Sequence, residues 1–553
     1  MDLFAGPGGL GEGFSSFNPH VNRAGLNPFQ IRISVEMDKV AHETLQLRAF
    51  YRNLARNEGD ASFYYEIIRN EPGKVGEIGG LEDLVNSKGG SRERRAFAEA
   101  ERETLCATLG SDDPRIPKGI REAIAGKRDW VLIGGPPCQA YSLVGRSRNR
   151  GKKDYRIEDD PRSHLYRQYL EVIADHSPSV FLMENVKGML SARLNGERVF
   201  DKILRDLRRP KAALGRIGNQ KDQDIHYEIV PAVKPEEGLY GIETTDEQDY
   251  IVRSERYGVP QNRHRVILLG VRSDIFAAKR STKACDWFLK PQKGSDIWDA
   301  IGDLPPLASF LSALTGPDGS RIKAEGTRAE LSAFMAGAYR YGYPGIAWKW
   351  LKGYSKKGPQ ERKISQLVQV MARRISRANA DHGNAFVRWD SSLFPETDRL
   401  HEWLYDPLLG GVANHESRRH LDMDLVRYLF AACFARVKQR TPSLVDFPEE
   451  LIPEHKSAGT GHFNDRFRVQ CKSQPATTVT SHISKDGHYF IHPSPRQCRS
   501  LTVREAARIQ TFKDNYFFCG KRTSQFHQVG NAVPPYLARQ LAGAVWRILG
   551  GTI

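Results

Sequence analysis

Short apolar runs that stop at glycine, proline or acidic residues recur along the first half of the chain. They are IRISVEMD (31–38), DWVLIGGPPC (129–138), SPSVFLMENV (177–186) and RHRVILLGVR (263–272). Such runs are typical of buried parallel strands. Stretches of helical composition separate them, so the pattern predicts an open α/β sheet. Ligands of these sheets bind beyond the carboxyl ends of the strands, where the residues that close each run would lie.

The chain begins with another such unit, DLFAGPGGLGEGF, in which a strand ends at Phe4 and a glycine turn leads into a helix. Gly6, Gly8 and Gly9 would let the backbone approach a ligand closely, and Glu36 would end the next strand beside ribose hydroxyls. A glycine turn alone is weak evidence. It is not GxGxxG, and no pyrophosphate-binding pattern follows, which argues against NAD or FAD.

The pattern changes near residue 290. From 291 to 495 Pro, Gly, Trp, Tyr and Arg interleave without a repeat, which predicts a second and less regular domain. The α/β character returns in LTVREAARIQTF (501–512), predicted to be helical, and in QVGNAVPPYLARQLAGAVWRIL (528–549), predicted to contain a Pro-started helix. We therefore divide the chain into residues 1–290, 291–495 and 496–553. Residues 51–128, with the exposed helix SRERRAFAEAERETL, and 187–256 are predicted insertions in the first part.

The amino-acid composition indicates which kind of partner the protein binds and in which cellular compartment it is expected. Lys and Arg number 82 against 66 acidic residues, a net charge of +16. Such an excess favours nucleic acid as a partner, although a basic and solvated surface is an equal alternative on charge alone. Seven scattered cysteines form no CxxC pair, which argues against a disulfide framework or a structural metal site. Without a membrane span or signal peptide, we expect a soluble intracellular protein.

A cysteine follows the second strand in GGPPCQAYS (134–142). The prolines fix the backbone before Cys138, so its side chain would be held at a rigid turn. A thiolate is a strong nucleophile but needs a positive or polar environment to form. The alternative, a small buried cysteine packed beside a strand, is equally weighted on this residue alone.

Two further strand ends carry charged residues. Glu184 in MENV could hold or donate a proton to a ring nitrogen, although a helix cap or salt bridge is the more frequent fate of a lone glutamate. In QNRHR (261–265), Arg263 and Arg265 are two apart and would point the same way, with Gln261 in line. Paired guanidiniums suit phosphate or carbonyl oxygens and would help Cys138 to ionise. A solvated edge strand is the alternative.

A basic, glycine-punctuated segment, SLVGRSRNRGKKDYR (142–156), follows the cysteine directly. Its composition is that of a loop able to close over a phosphate backbone. A surface loop without function is the alternative, but the place beside Cys138 favours DNA binding. The candidate contacts are Ser142, Arg146, Arg148, Arg150 and Lys152.

With these segments in order, the chain resembles the DNA (cytosine-5) methyltransferase family. The resemblance rests on DLFAGPGG, VEMD, GGPPCQAYS, ENV, QNRHR, LTVREAARIQTF and GNAVPP, in the family's order from residue 2 to 540. It implies a Rossmann-like methyltransferase fold with a mixed, mostly parallel sheet, and a target recognition domain at 291–495. Family members usually have several residues before DLFAG, so the natural start is expected upstream of Met1.

The resemblance also implies roles. Cys138 would attack carbon 6 of a cytosine flipped out of duplex DNA, Glu184 would act at N3, Arg265 would contact the base, and Arg263 would orient the site or pair with phosphate. S-adenosyl-L-methionine would be the methyl donor. Its pocket would comprise Phe4, Gly6, Gly8, Gly9, Glu36, Pro136, Asn531 and Val533.

The implied protein is a cytoplasmic bacterial monomer, associated with the nucleoid when bound to DNA, in a restriction–modification or solitary role. Whether a separately encoded restriction endonuclease accompanies it stays open. A tRNA cytosine-5 methyltransferase of the same fold is an alternative, opposed by the long basic recognition region. A DNA-binding homologue without activity is another, opposed by Cys138, Glu184 and Arg265 all being present.

Overall fold

The computed structural model describes residues 1–19, 27–137, 165–194, 196–216, 225–235, 246–280, 287–315, 320–337, 346–378, 381–389, 399–453 and 465–551. Its centre is a sheet with strand order β3-β2-β1-β4-β5-β11-β8, in which β9 also pairs with β11. The strands are β1 (Asp2–Leu3), β2 (Ser34–Glu36), β3 (Thr104–Cys106), β4 (Val131–Gly134), β5 (Val180–Val186), β8 (Tyr227–Pro231), β9 (Ile251–Arg253) and β11 (His264–Arg272). The predicted α/β architecture is confirmed.

Strands β1 to β5 are parallel, but β11 runs antiparallel to β5, β8 and β9. The prediction of RHRVILLGVR as another parallel strand is therefore wrong in direction. The connection from β9 to β11 is too short for a crossover, so the two strands pair as neighbours running in opposite directions. As a consequence, β11 begins at the end of the sheet where β5 finishes, which still brings Arg265 to the carboxyl end of β5.

Alternate residues of the central strands feed two separate apolar layers, as the two-residue period of a strand requires. Phe181 and Met183 pack in one layer with the helices Arg115–Ile124, Leu165–His176 and Val199–Arg208. Val180 and Leu182 pack in the other with Gly9–Ser15, Ser273–Arg280 and Pro535–Ile548. Helices therefore cover both faces of the sheet, which explains the unbroken apolar runs in its strands.

The two predicted insertions contribute to this sheet as well as adding helices. Residues 51–128 supply β3, and 187–256 supply β8 and β9. That the two segments are longer than the family requires stays a prediction. SRERRAFAEAERETL forms the helix Ser91–Glu103, as predicted, but it buries Ala96, Phe97 and Ala100 and is not exposed throughout. The helix Lys39–Glu58 leads into the first of these segments, which also holds the helices Ser62–Asn70, Pro72–Val75 and Gly80–Lys88.

A large separate apolar cluster lies between residues 308 and 498. The helices of this recognition region (residues 291–495) are Ile297–Ile301, Arg328–Ala336, Ile346–Tyr354, Pro359–Arg377, Arg399–Leu404 and Asp422–Lys438. Its strands, β12 (Leu311–Thr315), β13 (Arg321–Lys323), β14 (Gly383–Arg388), β15 (Gly411–Glu416) and β16 (His420–Leu421), form two small sheets. Trp403 and Val412 pack instead with residues 501–536, so the recognition region adheres to the C-terminal segment.

The remaining elements join these parts. Strand β17 (Ala476–Thr477) pairs with β10 (Gln261–Asn262), β6 (Arg193–Leu194) pairs with β7 (Glu197–Arg198), and Pro210–Ala213 is a single turn of helix. The C-terminal helices are Val503–Ile509, Arg522–Asn531 and Pro535–Ile548. Helix Val503–Ile509 has a capping box made by Thr502 and Glu505. Helix Pro535–Ile548 starts at proline, as the sequence predicts. No helix in the described ranges is long and apolar enough to cross a membrane.

Candidate active site

An acid and an arginine meet at the end of the central sheet where β5 finishes and β11 begins. Arg265 Nε lies 2.8 Å from Glu184 Oε1, and the two side chains are 15% and 14% exposed. Antiparallel pairing places Arg265 opposite Val186 and Ile267 opposite Glu184, which sets the two side chains beside each other. The pair is thus shielded but still reachable by a ligand, as a site at the carboxyl ends of strands should be.

The turn that precedes Cys138 is held against this pair. A Cβ at Gly135 would lie 3.1 Å from Glu184 Oε2, so glycine permits the close approach. Asn185 Nδ2 donates to the carbonyl oxygen of Pro136 over 3.4 Å and fixes the turn on the end of β5. Asn185 was given no role in the sequence interpretation, although it stands inside the ENV segment next to Glu184.

Cys138 and the candidate DNA contacts Ser142, Arg146, Arg148, Arg150 and Lys152 lie outside the described residues. Their roles stay predictions. What the structure describes is the end of the Gly-Gly-Pro-Pro turn, with Pro136 buried and Pro137 partly exposed, two residues and one residue before the cysteine.

Arg263 does not share the environment of Arg265. The extended chain is interrupted between β10 and β11, and Arg263 lies at the interruption. Its guanidinium is buried and donates to the carbonyl oxygens of Val479 (2.9 Å) and Gly530 (3.3 Å). Burial and then the neighbouring Arg265 cation lower the pKa of Arg263 well below its usual value. The two guanidiniums therefore have different partners, and Arg263 is not placed to meet a phosphate.

Gln261 is likewise a connecting residue. It is fully buried, its Nε2 donates to Gln510 Oε1 over 2.9 Å, and its Oε1 accepts from the backbone N–H of Val479 over 2.7 Å. Together with Arg263 it joins β10 to the stretch where the recognition region returns and to the C-terminal helices. Gln261, which was predicted to lie in line with the two arginines, therefore supports the site from behind through buried hydrogen bonds.

The glycine turn and Glu36 form a second cluster at the same end of the sheet. Phe4 and Gly6 have positive φ values of 56° each, which tightens the turn after β1. The backbone N–H of Gly6 donates to Glu36 Oε2 over 2.7 Å, and that of Asp38 donates to Oε1 over 2.8 Å. Burial raises the pKa of Glu36. Each carboxylate oxygen keeps a lone pair for a further donor, such as a ribose hydroxyl.

The C-terminal segment closes this cluster from the other side. A Cβ at Gly9 would lie 2.3 Å from the carbonyl oxygen of Val533, and one at Gly8 would lie 2.8 Å from Leu45 Cδ1. The hydroxyl of Tyr516 donates to the carbonyl oxygen of Pro7. Asn531 is the last residue of the Arg522–Asn531 helix and is exposed to solvent; it precedes Val533 by two residues. The predicted pocket residues at the turn and at Val533 are thus brought together.

A buried ion pair supports the glycine turn and was missed by the sequence analysis. Arg48 donates to both carboxylate oxygens of Glu12, at 2.7 and 2.9 Å, and also to Asn515 Oδ1 at 2.9 Å. Burial alone would raise the pKa of Glu12, but the Arg48 cation overcomes it and lowers the pKa to about 2. The only sequence signal was a glutamate inside a helix whose other residues are three glycines, Leu10, Phe14 and Ser15.

Comparison with known proteins bears on this arrangement. A family model described as C-5 cytosine-specific DNA methylase matches residues 119–210 and 412–547. The chain is 29% identical to the type II methyltransferase M.Bpa9945I of Bacillus paralicheniformis, over 100% of this chain and 99% of that protein. It is 26% identical to the type II methyltransferase M.AgeI of Thalassovita gelatinovora, over 81% and 90% of the two chains. It is 25% identical to the DNA (cytosine-5-)-methyltransferase M.ApeKI of Aeropyrum pernix, over 79% and 88%.

A mostly parallel sheet covered on both faces, with a glycine turn after β1 and an acid at the end of β2, defines the Rossmann-like fold of the S-adenosylmethionine-dependent methyltransferases. Within that class, the matches cover both the strands around the Glu184 turn and the C-terminal helices. The family model, the named relatives and the fold together identify the chain as a DNA (cytosine-5) methyltransferase.

Proposed function

We propose that the protein transfers a methyl group from S-adenosylmethionine to carbon 5 of a cytosine flipped out of duplex DNA, through a transient bond between Cys138 and carbon 6. The observation that carries the proposal is the Glu184–Arg265 pair, held against the turn that leads into Cys138. Two residues of chain reach no further than about 7 Å, so the thiol of Cys138 would lie within reach of a ring bound at this pair.

The residues at the glycine turn fit the cofactor. Glu36 is fixed by two backbone N–H groups and has lone pairs left for ribose hydroxyls. A Cβ at Gly6 would meet no atom within 4 Å, so the turn faces open space there. Phe4, Pro136, Asn531 and Val533 would line the remaining walls. When bound, the cofactor supplies a methyl group on a positively charged sulfur.

The chain's own residues would activate the ring. The thiolate of Cys138 forms a bond to carbon 6, and the electron pair displaced from the ring double bond moves toward carbon 5. Glu184 donates a proton at N3 so that negative charge does not accumulate. Arg265 donates hydrogen bonds to the exocyclic carbonyl oxygen of the base and keeps Glu184 in place.

The ring then restores its double bond. Carbon 5 gains the methyl group, loses its proton to solvent, and the pair left behind expels the thiolate of Cys138, while N3 returns its proton to Glu184. Flipping the base costs a few kcal/mol, which contacts to the DNA must offset. We propose that the basic segment after Cys138, with Ser142, Arg146, Arg148, Arg150 and Lys152, supplies part of them. The type II names of the relatives favour a restriction–modification setting.

Trapping on DNA that contains 5-fluorocytosine tests the mechanism, because fluorine at carbon 5 cannot leave as a proton does. We expect the wild-type protein, with S-adenosylmethionine, to form a covalent adduct that survives denaturation, and Cys138→Ser to form none. Cys471→Ser, at a free cysteine packed against the apolar cluster of residues 308–498, is the matched control and should react like wild type.

Labelled-methyl transfer to duplex DNA and to tRNA, run in parallel, separates the DNA enzyme from a tRNA enzyme of the same fold. Transfer to tRNA alone, or an adduct with Cys138→Ser, would overturn the proposal. Bisulfite sequencing of DNA from cells that express the protein would then identify the methylated sequence.

A further inference from the structure

One face of the Pro359–Arg377 helix consists of cations. Five exposed residues, which we call the cationic face, are Arg362, Lys363, Arg373, Arg374 and Arg377. At 3.6 residues per turn they fall within an arc of about 120°. The other exposed residues on this arc, Gln366 and Val370, are neutral, so no acid interrupts it.

The opposite face of the helix is fully occupied by protein. Ile364, Val368, Met371 and Ile375 are buried in the cluster that also contains the inner side of the Asp422–Lys438 helix. The single acid of the helix, Glu361, pairs with Lys438 at 3.0 Å. Among the described residues, none of the five cations of the cationic face forms an ion pair or a side-chain hydrogen bond, so their charge is not offset by the fold.

The positive surface extends beyond this helix. The neighbouring Ile346–Tyr354 helix and the turn after it expose Lys349, Lys352, Lys356 and Lys357. A helix elsewhere in the chain differs: Ser91–Glu103 carries four arginines but also four glutamates along its length. The cationic face is therefore a local feature and not a general result of the basic composition.

We propose that the cationic face binds backbone phosphates of duplex DNA that flank the methylated sequence. The inference rests on the proposed function, since it takes DNA as the substrate. From Arg362 to Arg377 the helix is about 22 Å long at 1.5 Å per residue. That length spans about six phosphates of one strand at a spacing of 3.4 Å. Four of the five cations are arginines, whose planar forks suit phosphate oxygens.

A membrane surface is a poorer partner for this face. An interfacial helix inserts an apolar side between lipid headgroups, whereas the apolar side of Pro359–Arg377 is packed inside the recognition region. Val370, at 44% exposure, is the large apolar side chain left on the outer side. Phosphate contacts of this kind hold and orient DNA without reading its bases, so sequence choice would come from other residues of the recognition region.

The test replaces all five residues of the cationic face with glutamine in one variant, which keeps helix propensity while it removes the charge. A matched control, R94Q/R102Q/K118Q/R121Q/K127Q, removes five exposed cations from helices and turns of the other domain. Binding to a duplex several helical turns long, carrying the methylated sequence, is measured across a range of KCl concentrations. Steady-state methylation of the same duplex gives kcat and the KM for DNA.

We expect the slope of log affinity against log salt for the cationic-face variant to be shallower by about 4.5, because each of five phosphate contacts contributes about 0.9 to the slope. The KM for the long duplex should rise while kcat stays at the wild-type value, and a duplex trimmed to the recognised sequence should lose the difference. The control should match wild type in slope and KM.

Three results would overturn the proposal: an unchanged slope and KM in the cationic-face variant, equal losses in both variants, or a loss of binding only to RNA or to anionic phosphatidylserine vesicles. Wild-type protein that methylates no DNA would refute the proposed function instead. An active wild type with an unaffected cationic-face variant would refute this inference alone.

Discussion

Replacing Gly9 with alanine should weaken cofactor binding by pushing apart the two chain segments that form the pocket. The added Cβ would lie 2.3 Å from the carbonyl oxygen of Val533, closer than real Cβ atoms approach. Relief requires a backbone shift at Val533 or at the start of the Gly9–Ser15 helix, and overpacking of this kind costs about 1–3 kcal/mol. Alanine in place of glycine in a helix normally gains up to about 1 kcal/mol, which offsets part of this cost.

The net strain of about 1–2 kcal/mol sets an upper bound on the loss of affinity, a 5- to 30-fold increase in Kd for S-adenosylmethionine. Isothermal titration with S-adenosylmethionine or S-adenosylhomocysteine measures it, and thermal unfolding reports the cost to the free protein. Gly73→Ala is the matched control, because a Cβ there would meet no atom within 4 Å. If Gly9→Ala bound the cofactor like wild type and unfolded at the same temperature, the closure of the pocket by Val533 would be refuted.

Two further predictions follow from the site and from the junction of the domains. Glu184→Ala should lower kcat by about 10²- to 10⁴-fold, the usual contribution of a positioned acid, while DNA affinity changes little; equal losses in kcat and in gel-shift affinity would argue against a catalytic role. His415 and His492 are buried beside Glu505 and Arg499, and burial lowers their pKa values to about 4 and about 3. Each therefore stays neutral in the folded protein while the unfolded chain takes up a proton below pH 6.5. The free energy of unfolding should be independent of these two histidines above pH 6.5. It should fall on acidification toward pH 4 by about 1.4 kcal/mol per pH unit for each histidine. Urea unfolding between pH 7.5 and pH 5 measures this, and a flat profile would contradict the buried placement.

The positions of the central strands could be predicted because strands that are buried on both faces consist of unbroken runs of apolar residues. Val180 to Met183 in β5 are wholly buried, and the sequence shows four apolar residues in succession. The direction of β11 was not predictable in the same way, since a run buried on both faces has the same composition in either direction. The direction of β11 depends on the length of the connection from β9 and on which strands it pairs with. The residues of the apolar run determine neither of these.

The candidate site was predictable where strand ends determine it, and less so where tertiary contacts do. Glu184 and Arg265 follow from the ends of two runs. Arg263 is also an arginine and stands only two residues before Arg265 in the sequence. Its guanidinium nevertheless donates to the carbonyl oxygens of Val479 and Gly530, more than 200 residues away in the chain. No local pattern distinguishes a guanidinium that will meet a ligand from one that will bind backbone.

The helix Val503–Ile509 makes the same point more strongly. Its sequence predicts a helix and gives no sign that two arginines lie inside the protein, yet Arg504 and Arg508 are completely buried. Arg504 donates to the carbonyl oxygens of Ala413, Lys513 and Tyr516, and burial lowers its pKa to about 10. Arginine at these positions satisfies carbonyl groups of irregular segments, which would otherwise be buried without partners.

These contacts explain why the two ends of the chain must meet before the pocket exists. The carbonyl oxygen of Pro7 is bound by Tyr516, and Gly13 packs so closely on the final helix that a Cβ would lie 2.3 Å from that of Ala538. Arg504 fixes the segment that carries Tyr516 to Ala413 in the recognition region. The cofactor turn, the C-terminal helices and the recognition region are therefore linked through one set of buried arginines and tyrosines. A change in how the recognition region sits on the C-terminal segment should therefore reach the glycine turn through Arg504 and Tyr516, whose hydrogen bonds link Ala413 to Pro7.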